Sequence, residues 1–168
     1  MVNIARDSGL RRLALRLFRR TPPKARGWLI RRIAPKVTMG VCAVVLDGRG
    51  RILVARHTYR RWPWGLPGGL IERDEAPMVA LARELREECA TDATIGPLLH
   101  AELFRRHLTL YYQASLASDP QPDGVEIAGF EYVAPDDIVR VLGRAALPWL
   151  AQLALLTPTP PSTLATAS

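Results

Sequence analysis

Residues 68–91 read GGLIERDEAPMVALARELREECAT. After Pro77, the apolar residues Met78, Leu81, Ala82, Leu85 and Cys89 recur at helical spacing. The stretch therefore predicts an amphipathic helix over residues 76–90, with that stripe turned to a core. Glu84, Glu87 and Glu88 stand at i, i+3 and i+4 and share a different face. Three neighbouring carboxylates repel one another, and a cation among them turns that repulsion into attraction. Hard oxygen ligands with room for water suit Mg²⁺ or Mn²⁺, ions that bridge carboxylates to phosphates. The competing reading is a solvated charged face, with Arg83 and Glu87 as an ordinary i, i+4 pair.

The flanks supply strands. Residues 37–46, VTMGVCAVVL, are β-branched and apolar and predict a buried strand. Asp47-Gly48-Arg49-Gly50 is a turn, and RILVARHTY is the returning strand of a hairpin. Residues 60–69 form a loop rich in Trp, Pro and Gly. Downstream, ATIGPLLHAELFRR and HLTLYYQASL are two strand candidates, Asp119 to Gly124 is a polar turn, and Glu126 to Val133 is a further strand. PDDIVRVL begins a short helix, and residues 146–156 form a last helix interrupted near Pro148. Strands on both sides of one central helix, with helices at the end, predict an α/β sandwich.

The flanking residues also weigh against a merely solvated acidic face. The stretch resembles the box of the Nudix hydrolase family: Gly, five residues, Glu, seven residues, then Arg-Glu-hydrophobic-any-Glu-Glu-any-Gly-hydrophobic. This chain has Gly69, then Glu75, then Arg83-Glu84-Leu85-Arg86-Glu87-Glu88, with every gap right through Glu88. Trp64-Gly65-Leu66-Pro67-Gly68-Gly69 also looks like the family's entry into the box. A motif this long with fixed gaps is far more specific than a lone GxGxxG. The box covers residues 69–91, and the strand pattern extends the resemblance over about residues 37–142. The match departs at Ala90, where the family has Gly, and at Thr91, where it has a hydrophobic residue. Either Ala90 takes the left-handed cap at a cost of about 1 kcal/mol, or the helix runs one residue further.

The resemblance implies a Nudix-type α/β/α sandwich with a mixed β-sheet, and metal-dependent hydrolysis of a diphosphate linkage in a nucleoside diphosphate derivative. Glu84 and Glu88 match the principal metal ligands, Glu87 a third ligand or one acting through water, and the Gly68 backbone carbonyl a further ligand. Arg83 and Glu75 match a supporting pair that orients the carboxylates. Glu126 is the candidate for the family's distal acid, with Glu131 competing. Either Glu87 or Glu126 accepts the proton from the attacking water. Arg56, closing VAR on the second strand, stands where members place a phosphate-binding cation. Trp62 is a candidate for stacking on a base, whereas Trp64 is expected to pack its loop. His57, His100 and His107 have no metal-ligand spacing and read as structural or surface residues. The SQPWPFP segment of NADH cleavage and the coenzyme A signature are both missing, and Tyr111 and Tyr112 lie where some dinucleoside polyphosphate enzymes of the family place a Tyr. Within the range of substrates that the resemblance implies, an ADP-sugar or an oxidised nucleoside triphosphate is the expectation. A Nudix-like module that senses a nucleotide without cleaving it is the alternative; such modules often lose box carboxylates, and here all three are present.

The totals set the frame. Of 168 residues, 48% are apolar and 23% charged, ordinary values for a soluble globular chain able to bury a core. No apolar run is long enough to span a bilayer, and no secretory signal is recognisable. Cys42 and Cys89 read as two thiols in a reducing cytoplasm. The net charge of +7 is unevenly placed. Residues 1–36 carry eleven Lys or Arg against one acid, Asp7, whereas the remainder carries twelve basic against fifteen acidic residues. The expected organisation is a basic amphipathic helical extension (1–36), a hydrolase domain (37–156) and a disordered tail (157–168). The extension is expected to touch an anionic membrane surface through residues 9–33, to cover the domain, or to meet a homodimer partner; its Arg-rich character also suits an organellar transit peptide. A main domain without surplus positive charge argues against specific nucleic-acid binding.

Overall fold

The computed structural model describes residues 36–156 together with Pro22, Ala25 and Arg32. The chain divides into two units, Met1–Lys36 and Val37–Ser168. The second is described below; the expected basic helices and the tail lie outside the described residues.

Strand β1 (Thr38–Val45) is apolar on both faces, so it can be buried only at the centre of a layered fold. Val41, Ala43 and Val45 look one way, into a core shared with Leu53, Leu81, Leu85 and Cys89. Val44 looks the other way, into a core with Ile52, Val54, Ile138 and Trp149. Strand β2 (Ile52–His57) follows the same alternation. Helix α1 (Pro77–Cys89) covers the first face. Helix α2 (Pro135–Leu142), a 3₁₀ turn (Arg144–Ala146) and helix α3 (Leu147–Leu156) cover the second. The layers are those of an α/β/α sandwich.

Strand β4 (Ala93–Phe104) and strand β5 (His107–Leu116) form an antiparallel hairpin. β5 then runs parallel to β1, from Thr38 opposite His107 to Val45 opposite Ala114. The long crossover a parallel pair requires is supplied by α1 and β4. The mixed sheet has the order β1-β5-β4. A second, antiparallel sheet has the order β3-β2-β6, where β3 is Trp64–Gly65 and β6 is Ile127–Val133.

The expected β1–β2 hairpin is therefore corrected. The turn is present, tied by the Asp47 carboxylate to the backbone N–H of Arg49 (2.9 Å) and Arg51 (2.8 Å). Past the bridge between Leu46 and Ile52, the strands part into different sheets. Residues 67–71 fill the gap along β1. Ala43 N–H donates to the Pro67 carbonyl (2.8 Å), Val41 N–H to Gly69 (2.9 Å), and Ile71 N–H to Met39 (2.9 Å). The start of the acidic motif is thus sewn to the central strand.

Three further expectations change. Met78 is 47% exposed, and Ala80 takes its place in the core. The helix does not run on past Cys89: Ala90 adopts the left-handed conformation, φ 52° and ψ 33°. Helix α3 is uninterrupted, because Pro148 falls in its first turn, where no intrahelical N–H is required.

Candidate active site

Gly68 and Gly69 decide how the motif reaches the helix. Gly68 has φ +135°, and a Cβ there would collide with the Val41 carbonyl oxygen. Its N–H donates to Glu88 Oε2 at 2.7 Å. A Cβ on Gly69 would occupy the space taken by the Glu84 carboxylate. Gly68 lets the loop close onto the β1 backbone, and Gly69 leaves room for the Glu84 carboxylate.

The three glutamates do not share one environment. Glu88 is 8% exposed, Glu84 is half-buried, and the Glu87 side chain is 60% exposed. Burial pushes the Glu88 carboxyl up to about 7; the Glu84 and Glu126 charges add to the rise, while the Gly68 N–H and the Arg60 charge oppose it. Burial also raises Glu84, against its bond to Arg83. In both, removal from water disfavours the ionised form more than the nearby positive charge restores it.

Arg83 supplies part of that charge. It grips Glu75 bidentately, Nε to Oε1 at 3.0 Å and Nη2 to Oε2 at 3.1 Å, and holds Glu75 below its ordinary range. Nη2 also donates to the Leu70 carbonyl (3.1 Å), so the loop is pinned to the helix. Nη1 bonds Glu84 Oε1 (2.9 Å) and Glu87 Oε2 (3.1 Å). Arg83 thus bonds two of the three carboxylates. Among the described residues, no three His, Cys, Asp or Glu side chains form a ready-made metal-binding group. The donor set nevertheless fits a hard divalent cation: buried carboxylate oxygens, one of them opposed directly by a single backbone N–H, with a half-buried neighbour beside it.

The remaining candidates separate. Glu126 is exposed, but its charge reaches Glu88. Its backbone is fixed from both sides: its N–H donates to the Asp123 carboxylate (3.0 Å), and its carbonyl accepts from Thr58 N–H (2.9 Å). Glu131 lies in β6 opposite Val54. Arg56 is exposed on β2, opposite Trp64 on one side and Gly129 on the other. Trp62 is 65% exposed, and its indole N–H donates to the Val141 carbonyl at 2.9 Å, which ties the loop to the end of α2. Trp64 packs against the Trp149 core. His57 is buried, with neither ring nitrogen hydrogen-bonded. His100 stacks on Tyr111, and His107 bonds the Thr38 hydroxyl (2.8 Å).

Sequence reasoning missed a cavity of about 160 Å³ lined by Cys42, Arg60, Trp64, Tyr111 and Trp149, among others. Its walls come from β1, the loop before β3, β5 and α3. No local pattern links these residues, and Arg60 carries no motif of its own.

The sequence profile of the NUDIX domain matches residues 36–153. A MutT-like protein of Streptomyces ambofaciens is 26% identical over 106 residues, 62% of this chain and 68% of that protein. A CTP pyrophosphohydrolase of Escherichia coli is 39% identical over 59 residues, 33% of this chain and 44% of that protein. An ADP-ribose pyrophosphatase of Mycobacterium tuberculosis is 41% identical over 63 residues, 35% and 30% of the two chains. The alignments thus span less than half the length of these last two relatives. Among solved structures, the E. coli ORF135 protein superposes with a TM-score of 0.58 at 26% identity, covering 76% of this chain and 95% of that one. A MutT protein from Methanosarcina mazei gives 0.61 at 19% identity over 76% and 99%, a likeness of fold. A profile match over most of the chain, a shared sandwich and an acidic helix laid against a glycine pair converge: this chain belongs to the NUDIX domain family of diphosphate-cleaving hydrolases.

Proposed function

We propose that this chain hydrolyses a diphosphate linkage in a nucleoside diphosphate derivative, an ADP-sugar or a nucleoside triphosphate, with Mg²⁺ or Mn²⁺ held by Glu84, Glu87, Glu88 and the Gly68 carbonyl. The observation that carries this reading is Glu88, a buried carboxylate bound by one backbone N–H and facing further acids. The names of the relatives, which include an 8-oxo-dGTP diphosphatase of Proteus vulgaris at 33% identity over 75 residues, support the substrate class. A divalent ion bound there supplies neutralisation of phosphoryl oxygens and acidifies water.

The chain's own residues do the rest. Gly68 N–H keeps Glu88 oriented, and the Arg83–Glu75 grip keeps the loop registered on α1. Arg83 Nη1 is shared between Glu84 and Glu87, while Nε and Nη2 hold Glu75, so the Glu75 grip does not depend on the two carboxylates that would hold an ion. Glu87 is exposed enough to accept a proton from water; Glu126 is the other acceptor, its backbone fixed by Asp123 and Thr58.

The bonding of two carboxylates by Arg83 is what a nucleotide-sensing module without turnover would also display, and experiment separates the two. Nucleoside triphosphates and ADP-sugars are offered with Mg²⁺ or Mn²⁺, and products are identified by mass. Turnover is expected to fall at least about 100-fold in Glu84→Gln and in Glu88→Gln with the circular dichroism spectrum unchanged. Near-normal activity in both removes the metal-site assignment, and metal-independent nucleotide binding without products selects the sensing module.

The extension is read as a contact for anionic surfaces through residues 9–33, and co-sedimentation with anionic liposomes that is lost in high salt tests it. A homodimer partner on the same helices is the competing occupant, read by the mass of the particle in solution. Two free cysteines suit a reducing cytoplasm. No helix among the described residues is long and apolar enough to cross a membrane.

A further inference from the structure

One end of the mixed sheet keeps an apolar face that nothing among the described residues covers. Met39 of β1 stands opposite Leu108 of β5, and Leu108 opposite Leu103 of β4. On the other edge of β1, Ile71 N–H donates to the Met39 carbonyl (2.9 Å). Paired residues of neighbouring strands project to the same face. Leu103, Leu108, Met39 and Ile71 thus form an apolar row across the sheet, on the same side as Val41 and Ala43. Helix α1 covers that side with Ala80, Leu81, Leu85 and Cys89. It begins at Pro77, however, and the row lies beside its first turn. Leu103 is 67% exposed and Met39 38%. Val37, Met39, Ile71 and Pro77 line an open groove of about 390 Å³ there.

The two sides of the row carry opposite charge. Past Ile71 the chain enters the exposed Glu72 and Asp74, with Arg73 between them, while Glu75 is held by Arg83. Past Leu103 it turns at the exposed Arg105, whose guanidinium lies 5.4 Å from the centre of the Phe104 ring. The tip is fixed to β1, because Thr38 N–H donates to the Arg106 carbonyl (3.0 Å). Glu72, Asp74 and Arg105 enter no ion pair among the described residues. A patch that is apolar in the middle, negative on one side and positive on the other is complementary to itself after a half-turn. That symmetry selects the occupant. A second copy, rotated about an axis normal to the sheet between β5 and β1, lays its apolar row on this one and sets its tip against the acidic loop, twice over. A surface of one sign, such as an anionic membrane or a basic peptide, is attracted on one side and repelled on the other.

We propose that this face is a self-complementary contact between two copies of the chain. Met39, Leu103 and Leu108 form its apolar centre, and Arg105 of each copy meets Glu72 and Asp74 of the other. The contact does not depend on the hydrolytic reading, and it differs from a dimer seated on residues 9–33.

Sedimentation equilibrium of the full chain tests this between about 1 and 100 µM, the range of a modest interface. A monomer–dimer equilibrium that weakens with salt is expected. Leu103→Asp is expected to weaken the dimer at least about tenfold, since it carries a charge into the apolar centre. Arg105→Glu and Glu72→Arg are each expected to weaken it about tenfold, because like charges then meet at both symmetric contacts. An equal mixture of these two variants is expected to recover association, because every contact again joins opposite charges. Arg49→Glu, on the turn at the far end of β1, is the control and leaves the dimer unchanged; circular dichroism checks that each variant is folded. A monomer at every concentration, a dimer unmoved by Leu103→Asp, or a mixture that associates no better than Arg105→Glu or Glu72→Arg alone overturns the proposal.

Discussion

Ala90 is an alanine in a conformation that suits glycine. Its φ of 52° ends α1 in the left-handed region, where a Cβ crowds the following carbonyl. The flanking residues over-determine this strain. Cys89 is buried in the core, and its carbonyl accepts from Gln121 N–H at 2.9 Å. Thr91 is also buried, and its hydroxyl meets Ser118 at 2.8 Å and Ser118 N–H at 3.1 Å. Because both neighbours are anchored, the helix cannot extend by a residue to relieve Ala90. Ala90→Gly is therefore expected to stabilise the protein by about 0.5–1 kcal/mol in urea denaturation. No gain would mean that the strain is relieved elsewhere. His57 is a second residue in an uneasy place. Burial, with the nearby Arg60 charge acting in the same direction, lowers its pKa to about 4. The folded state therefore prefers the neutral ring. The stability this represents is complete above the ordinary value of 6.5 and is lost as pH falls from there toward 4. His57→Leu removes the titration, so its melting temperature should fall less than that of the natural protein between pH 6.5 and pH 4.5; equal falls would place the acid sensitivity elsewhere.

At the scale of elements, α3 is held by one large side chain. Trp149 is 1% exposed, stacks on Tyr111 of β5, and shares a core with Val44 of β1 and Val54 of β2. Trp149→Ala is expected to cost about 3–5 kcal/mol by thermal or chemical unfolding. A loss below about 1 kcal/mol would mean that α3 contributes little to the fold. The acidic helix shows how far an element can be read in isolation. Its span is legible from Pro77 and the apolar period, because local sterics and one buried face specify it. The burial of Glu88 was not legible, since the wheel places it with Glu84 and Glu87 on a polar face. The backbone of residues 67–71, a separate segment seated against β1, encloses it. For the same reason Met78 was misassigned to the core: that end of α1 lacks the cover its other turns have.

At the scale of the whole molecule, the proposed ion site would couple ion uptake to pH through Glu88. Burial raises its carboxyl to about 7 from an ordinary 4.5. In the ion-free protein its contribution is complete below 4.5 and is lost as pH rises through 7. A cation needs the ionised form, so its binding displaces a proton and strengthens over the same window. The rise in melting temperature on adding Mg²⁺ should therefore be larger at pH 8 than at pH 6, and EDTA should reverse it and stop turnover with the secondary structure intact. An Mg²⁺ effect that is flat with pH would detach Glu88 from the ion. The sheets show the same division between local and global information. The β4–β5 hairpin is legible because its strands are adjacent in sequence. The parting of β1 and β2 is not, because each is apolar on both faces and periodicity cannot say which sheet a doubly buried strand joins.

The order of residues alone determined the longer elements, the family and which acids the motif carries; the two-residue strand Trp64–Gly65, inside what reads as a loop, was not among them. Each of these depends on spacing within a short stretch: the helical period, two glycines ahead of a glutamate, and carboxylates one turn apart. Folding decided which acid is buried, that Arg83 stands between two of them, and that Arg60 rather than Arg56 faces the aromatic cavity. Burial and electrostatic fields are sums over neighbours brought from distant parts of the chain. Cys42, Arg60, Tyr111 and Trp149 meet only when strands of two sheets, α2, the 3₁₀ turn and α3 close around them.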